Sequence, residues 1–151
     1  MDKNLALQKC MKLCSTKEYA PQEIMDKLVA WEIPNEEALE ILKALEAEKF
    51  LDPYRFARYY VNDKIKFNKW GRIKIGLMLK QKKVAEEAVK EAFDQINDED
   101  YFAVLTDELR KKRKTIKEDD PYIIRGKLYQ FAAGRGFEGE IIHKAMDRIL
   151  K

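Results

Sequence analysis

The sequence predicts an all-α protein, three tandem three-helix repeats forming an elongated array, on three observations. Glu, Lys, Ala and Leu dominate, while only six Gly and four Pro interrupt 151 residues, most of them where a helix would end. No stretch of useful length alternates apolar and polar residues as a half-buried strand would. A set of apolar anchors also recurs: Ile24, Leu28 and Ile33 are spaced i, i+4, i+9, and Ile75, Leu79 and Val84 repeat that spacing 51 residues later. Leu128, Ala132 and Phe137 repeat it after a further 53.

Each repeat reads as a longer helix, a short helix and a third helix. The first covers 3–17, 21–30 and 35–48, the second 53–67, 71–81 and 84–96, and the third 98–114, 121–133 and 138–150. The longer helices are aligned by Ala6 and Ala57, each 18 residues ahead of its first anchor. In the third copy Ala103 precedes Leu128 by 25, so a lengthened connection is expected between Arg113 and Asp120. The third helices share one face: Ala88, Val89, Ala92 and Ile96 follow Val84 at +4, +5, +8 and +12, as Ile141, Ile142, Ala145 and Ile149 follow Phe137. With one residue added at Pro34 the first copy offers Ala38, Leu39 and Leu42, and then fails at Glu46. Asp52 before Pro53 and Asp120 before Pro121 have the pattern of an N-cap followed by proline at the first helical position. The expected repeats are 1–51, 52–97 and 98–151; none buries much alone, so neighbours should pack in sequence.

Net charge is only +3, but it is unevenly distributed. Residues 1–54 carry 7 basic and 11 acidic groups, residues 55–83 carry 10 and 1, and residues 84–151 carry 13 and 15. A middle at +9 between flanks at −4 and −2 draws phosphate or an acidic protein surface. The first residues lack the apolar run of a signal peptide and no later stretch approaches a membrane span, so a cytoplasmic protein without membrane contact is expected. Cys10 and Cys14, four apart on a helix, suit neither a disulfide nor a metal site and read as small helix-face residues. His143, the sole histidine, has no nucleophile to serve. With no P-loop and no metal-ligand set, no enzyme, cofactor or metal is expected.

The stretch LDPYRFARYYVNDKIKFNKWGRIKIGLMLKQKKV resembles the middle repeat of the RecX family of recombinase regulators, and KLYQFAAGRGFEGEIIHKAM resembles its last. The likeness spans essentially the whole chain and rests on LD…RFA, WG…I…L and RGF in order. It implies three three-helix repeats that bind RecA filaments and modulate, usually restrain, strand exchange and ATP hydrolysis, in DNA recombination, repair and the SOS response. Two departures stand out. Pro53 replaces a common second acid after LD, and Lys83 stands where the family commonly has glycine, which removes an easy left-handed helix ending.

At 100° per residue Arg55, Arg58, Asn62, Lys66 and Lys69 fall on one arc of a helix, with Phe56, Ala57, Tyr60, Val61 and Phe67 opposite. The next helix has Ile75, Met78 and Leu79 on one side and Ile73 and Leu77 on nearly the other, close to Lys80. Two apolar faces suggest contact with the helix's own repeat and with something else, such as the adjacent copy. Arg55, Arg58, Lys66, Lys69, Arg72, Lys74 and Lys80 are therefore the candidate partner-binding residues, facing a RecA filament and the DNA within it. The same pattern also suits a stand-alone DNA-binding module, a helical scaffold for another protein, or a solvated lysine-rich face. Lys64 points to the apolar side and should snorkel at a repeat junction. Trp70 suits packing at a junction better than stacking on a base. The run Arg110–Lys114 is a second phosphate-attracting cluster or, with acids on both sides, a solvated face. Arg135 and Gly136 should form a helix-ending turn.

Overall fold

A computed structural model describes residues Met1–Lys151. The chain is helical throughout, without strands, and folds as three tandem three-helix repeats. The first holds α1 (Lys3–Thr16), α2 (Pro21–Ala30) and α3 (Asn35–Ala47). The second holds α4 (Pro53–Asp63), which runs into a π-helical turn at Lys64–Asn68, then α5 (Arg72–Gln81) and α6 (Glu86–Asp94). The third holds α7 (Asp98–Arg113), α8 (Pro121–Gly134) and α9 (Gly139–Ile149).

The helices start where their caps stand. Asp52 Oδ1 accepts from the Tyr54 and Arg55 N–H groups at 3.0 and 3.2 Å, and Asp120 Oδ1 accepts from Tyr122 at 2.9 Å. Asp2 and Asn97 cap α1 and α7 in the same way. They end on a shared device. Glu32, Lys83 and Gly136 each sit one residue before the last anchor of their repeat and each has positive φ, at 59°, 58° and 91°. In every copy the anchor's N–H then reaches back to the helix: Ile33 to Leu28 O at 3.0 Å, Val84 to Leu79 O at 3.1 Å, and Phe137 to Ala132 O at 3.2 Å. The left-handed ending that the loss of glycine at Lys83 put in question is therefore present, carried by a side chain that disfavours it.

All nine anchors are buried, none more than 7% exposed. Two details of the sequence reading are corrected by the packing. Ala103 is exposed, and α7 instead buries Tyr101, Leu105 and Leu109, because its core face is set by bulkier residues than the Ala6 and Ala57 of the other copies. No residue is inserted at Pro34: Ala38, Ile41 and Leu45 line the core at +5, +8 and +12 from Ile33, the positions of Ile142, Ala145 and Ile149 after Phe137. Leu39 and Glu46 face solvent, so the mismatch at Glu46 disappears with the insertion.

The chain forms two compact units, Met1–Tyr60 with Leu79–Ala92, and Val61–Met78 with Phe93–Lys151. The core of the first gathers Ala6, Cys10, Ile24, Leu28, Ile41 and Leu45. That of the second gathers Tyr101, Leu105, Leu109, Leu128, Phe137 and Ile142. Ile116, 8% exposed, pins the long connection between α7 and α8 to this second core. The helices of the middle repeat each pass from one unit into the other.

Candidate functional site

The π turn decides how the basic segment is displayed. Lys64 O accepts from the N–H groups of both Lys69 and Trp70, and Lys69 closes the turn at φ 58°. A π turn advances each residue by less than the 100° of an α-helix, so positions beyond Asp63 leave the arc that a straight helix would give them. Phe56, Ala57, Tyr60 and Val61 are buried as expected, whereas Phe67, expected beside them, is 68% exposed.

In the first unit Arg55 and Arg58 are engaged by groups of the chain itself. Arg55 Nε donates to Glu18 at 2.7 Å, and its Nη2 donates to the Lys49 and Phe50 carbonyls beyond the end of α3. Arg58 pairs with Glu91. Lys80, on α5, is exposed and has no acidic partner.

In the second unit Arg72 is the centre of a polar knot. Its guanidinium donates to Glu138 at 2.9 Å and Asp98 at 3.0 Å and lies 4.2 Å from the centroid of the Tyr101 ring. Its backbone N–H donates to the Tyr101 hydroxyl at 2.9 Å, and that hydroxyl donates to Glu138. Burial, seconded by the hydrogen bond to Glu138, pushes the Tyr101 phenol well above its ordinary range, so the proton of this bond is held. Burial works against the charge on Arg72, yet its bonds to Glu138 and Asp98 hold the guanidinium pKa above its usual value. Beside the knot, the Gly71 N–H donates to Arg135 O at 2.8 Å and the Ile73 N–H to Gly136 O at 2.9 Å. The WG and RGF motifs thus meet backbone to backbone. A helix-ending turn is only part of what Arg135 and Gly136 do.

Lys66, Lys69 and Lys74 of this unit have no acidic partner. Lys66 and Lys69 border a depression of about 440 Å³ together with Asn62, Asn97, Asp100 and Tyr101. Lys74 lies over Trp70 at 4.5 Å from the ring centroid and Lys64 at 5.3 Å, so this half-buried indole is a platform for two ammonium groups. In the third repeat, Lys112 borders a groove of about 630 Å³ with Lys117 and Lys127, and Arg110 and Lys111 pair with Asp107 and Glu108.

Of the seven cations singled out by sequence, three are thus engaged by carboxylates of their own unit and four project without one. The intramolecular pairs escape a reading of one segment because their acids lie 26 to 66 residues away. Ile73 and Leu77, on the outward side of α5, are 53% and 56% exposed, so no adjacent copy covers them. The two thiols are free; Cys10 is buried, and burial, followed by the nearby Cys10 and Glu18, pushes Cys14 up to about 11. His143 packs its ring against Tyr129 at 5.3 Å. No group of His, Cys, Asp and Glu is arranged to hold a metal ion, and no helix is long and apolar enough to cross a membrane.

An all-helical triple repeat whose basic middle segment is part ion-paired and part open cationic surface belongs to the class of helical-repeat proteins. Comparison with known proteins makes the assignment particular. The second three-helix domain of RecX matches residues 54–92 and the third three-helix domain matches residues 98–146. A regulatory protein RecX of Chlorobium phaeobacteroides is 29% identical over 99% of this chain and 97% of its own length, and one of Prosthecochloris aestuarii is 27% identical over 99% and 96%. The fold is shared with crystal structures of a regulatory protein RecX (TM-score 0.87, 21% identity, 96% of this chain and 73% of that one) and of RecX from Lactobacillus salivarius (TM-score 0.90, 18% identity, 97% and 96%). The chain belongs to the RecX family of regulatory proteins.

Proposed function

We propose that this protein binds RecA filaments assembled on DNA and restrains their strand exchange and ATP hydrolysis, without catalytic chemistry of its own. Its repeats are taken as residues 1–51, 52–97 and 98–151, with the middle one as the main contact surface, acting in the cytoplasm during recombination and repair. One observation carries this reading within a RecX-family chain: Lys66, Lys69, Lys74 and Lys80 stand without an acidic partner in a segment, residues 64–85, that contains no Asp or Glu. Arg55, Arg58 and Arg72 are the weaker members of the contact set, because each is held by a carboxylate of the chain that a phosphate would have to displace or share.

The test is a RecA-dependent ATPase and strand-exchange assay with and without the protein, alongside binding to RecA-coated and bare DNA at near-physiological salt. Both activities should fall, and coated DNA should bind more tightly than bare DNA of the same length. Equal binding to the two would indicate a stand-alone DNA-binding module. Lys66→Glu with Lys80→Glu should weaken filament binding and flatten its dependence on salt, since fewer counterions are released, with helicity unchanged. Arg58→Glu is unsuitable for this purpose, because it sets a carboxylate against Glu91.

A further inference from the structure

We infer that the outward face of α5 docks on the protein component of the filament, through an apolar ridge of that protein rimmed by carboxylates, and not on DNA. The inference rests on the filament-binding reading above and assigns the partner chemistry at one face. Ile75 is buried against the core, while Ile73 and Leu77, one turn apart, stand on the opposite side and are each more than half exposed. A helix side meant only for water or phosphate usually carries polar residues there, and two large aliphatics one turn apart on the same face form a contiguous apolar ridge of the kind that marks an interaction site. Phosphodiester oxygens gain nothing from such a ridge. A helix edge or loop of a protein with its own apolar residues does, by removing both surfaces from water.

Charge specifies the partner further. Residues 64–85 contain eight cations and no acid; Arg72, Lys82 and Lys64 pair with carboxylates from outside the segment, which leaves Lys66, Lys69, Lys74, Lys80 and Lys83 to set the field. Lys74 follows Ile73 directly and has no carboxylate partner, and its own contact is the Trp70 ring. An apolar ridge set in such a field repels basic partners and orients acidic ones, which gives specificity as well as a faster encounter. The fitting occupant is therefore an acidic, amphipathic protein segment presenting aliphatic or aromatic side chains between carboxylates.

The experiment uses the full chain and a double variant, Ile73→Gln with Leu77→Gln, measured by fluorescence anisotropy against RecA-coated DNA, RecA without DNA and bare DNA. Both positions are exposed, so circular dichroism and the melting midpoint should match the parent. The variant should bind coated DNA at least tenfold more weakly, bind bare DNA as the parent does, and lose whatever affinity the parent has for RecA alone. A photo-crosslinking residue placed at Leu77 should yield a protein adduct on filaments. Undiminished filament binding by the variant, or equal losses on coated and bare DNA together with a DNA adduct, would overturn the docking inference and leave the filament-binding reading intact. A parent protein with no preference for coated over bare DNA would overturn both.

Discussion

The most demanding consequence of the structure concerns Gly71, where a single methyl group separates two outcomes. A Cβ there would stand 2.4 Å from Gly136 O and 2.5 Å from both Gly136 C and Phe137 Cα, where ordinary contact begins near 3.4 Å. All three atoms are backbone, so no side chain can swing aside, and the two segments must part by about 1 Å to accept alanine. That displacement stretches the bonds from Gly71 N–H to Arg135 O and from Ile73 N–H to Gly136 O, now 2.8 and 2.9 Å, beyond useful range. Two such bonds are worth about 0.5–1.5 kcal/mol each, and overpacking adds about 1–3, so Gly71→Ala should cost about 2–6 kcal/mol. Gly126 supplies the matched control. It lies inside α8 with nothing within 4 Å of its would-be Cβ, so Gly126→Ala should gain about 0.5–1 kcal/mol from helix propensity alone. Urea unfolding followed by circular dichroism should move the midpoints of the two variants in opposite directions. A Gly71→Ala protein as stable as its parent would show that the WG and RGF backbones do not approach as described.

Three further outcomes are expected. Lys83→Gly and Glu32→Gly should each stabilise the protein by about 0.5–1 kcal/mol in the same unfolding assay, because both residues hold positive φ that costs an L-residue about 1–2 kcal/mol, less the extra chain entropy of glycine. Tyr101→Phe should destabilise by about 1–3 kcal/mol, since the Arg72 N–H and Glu138 lose the hydroxyl between them while the ring keeps its place 5.3 Å from Phe137; an unchanged midpoint would refute the knot. Cys14, with its pKa pushed up from 9.0 to about 11, should carry about a hundredfold less thiolate at pH 8 and react with iodoacetamide about tenfold more slowly than an ordinary thiol, since the more basic thiolate is also the better nucleophile. The fold favours the neutral thiol, so this contribution to stability is present below pH 9 and is lost as pH rises through about 11. Fast labelling at pH 8 would contradict it.

The helical repeat was legible in one dimension because burial follows periodicity. Positions i, i+4 and i+9 return to the same side of a helix and the turn after it, so Ile24, Leu28 and Ile33 and their later equivalents declare the core without any knowledge of neighbours. Caps are equally local, since Asp52 and Asp120 bond to groups within three residues. Where local pattern was over-read, as with the extra residue at Pro34 and the role given to Ala103, several residues satisfied the same rough spacing and only side-chain packing chose among them. The basic segment was legible as composition and not as geometry. Sequence placed ten cations against one acid between residues 55 and 83, and that excess is real. Which of them remain open was decided by Glu18 in the α1–α2 connection, Glu23 of α2, Glu91 of α6 and Glu138 at the N-cap of α9. The π turn at Lys64–Asn68 then decided that Phe67 points outward. Charge, periodicity and capping act within a few residues and can be read along the chain. Ion pairing and the contact of Gly71 with Gly136 require groups up to 66 residues apart to meet, and only the folded backbone brings them together.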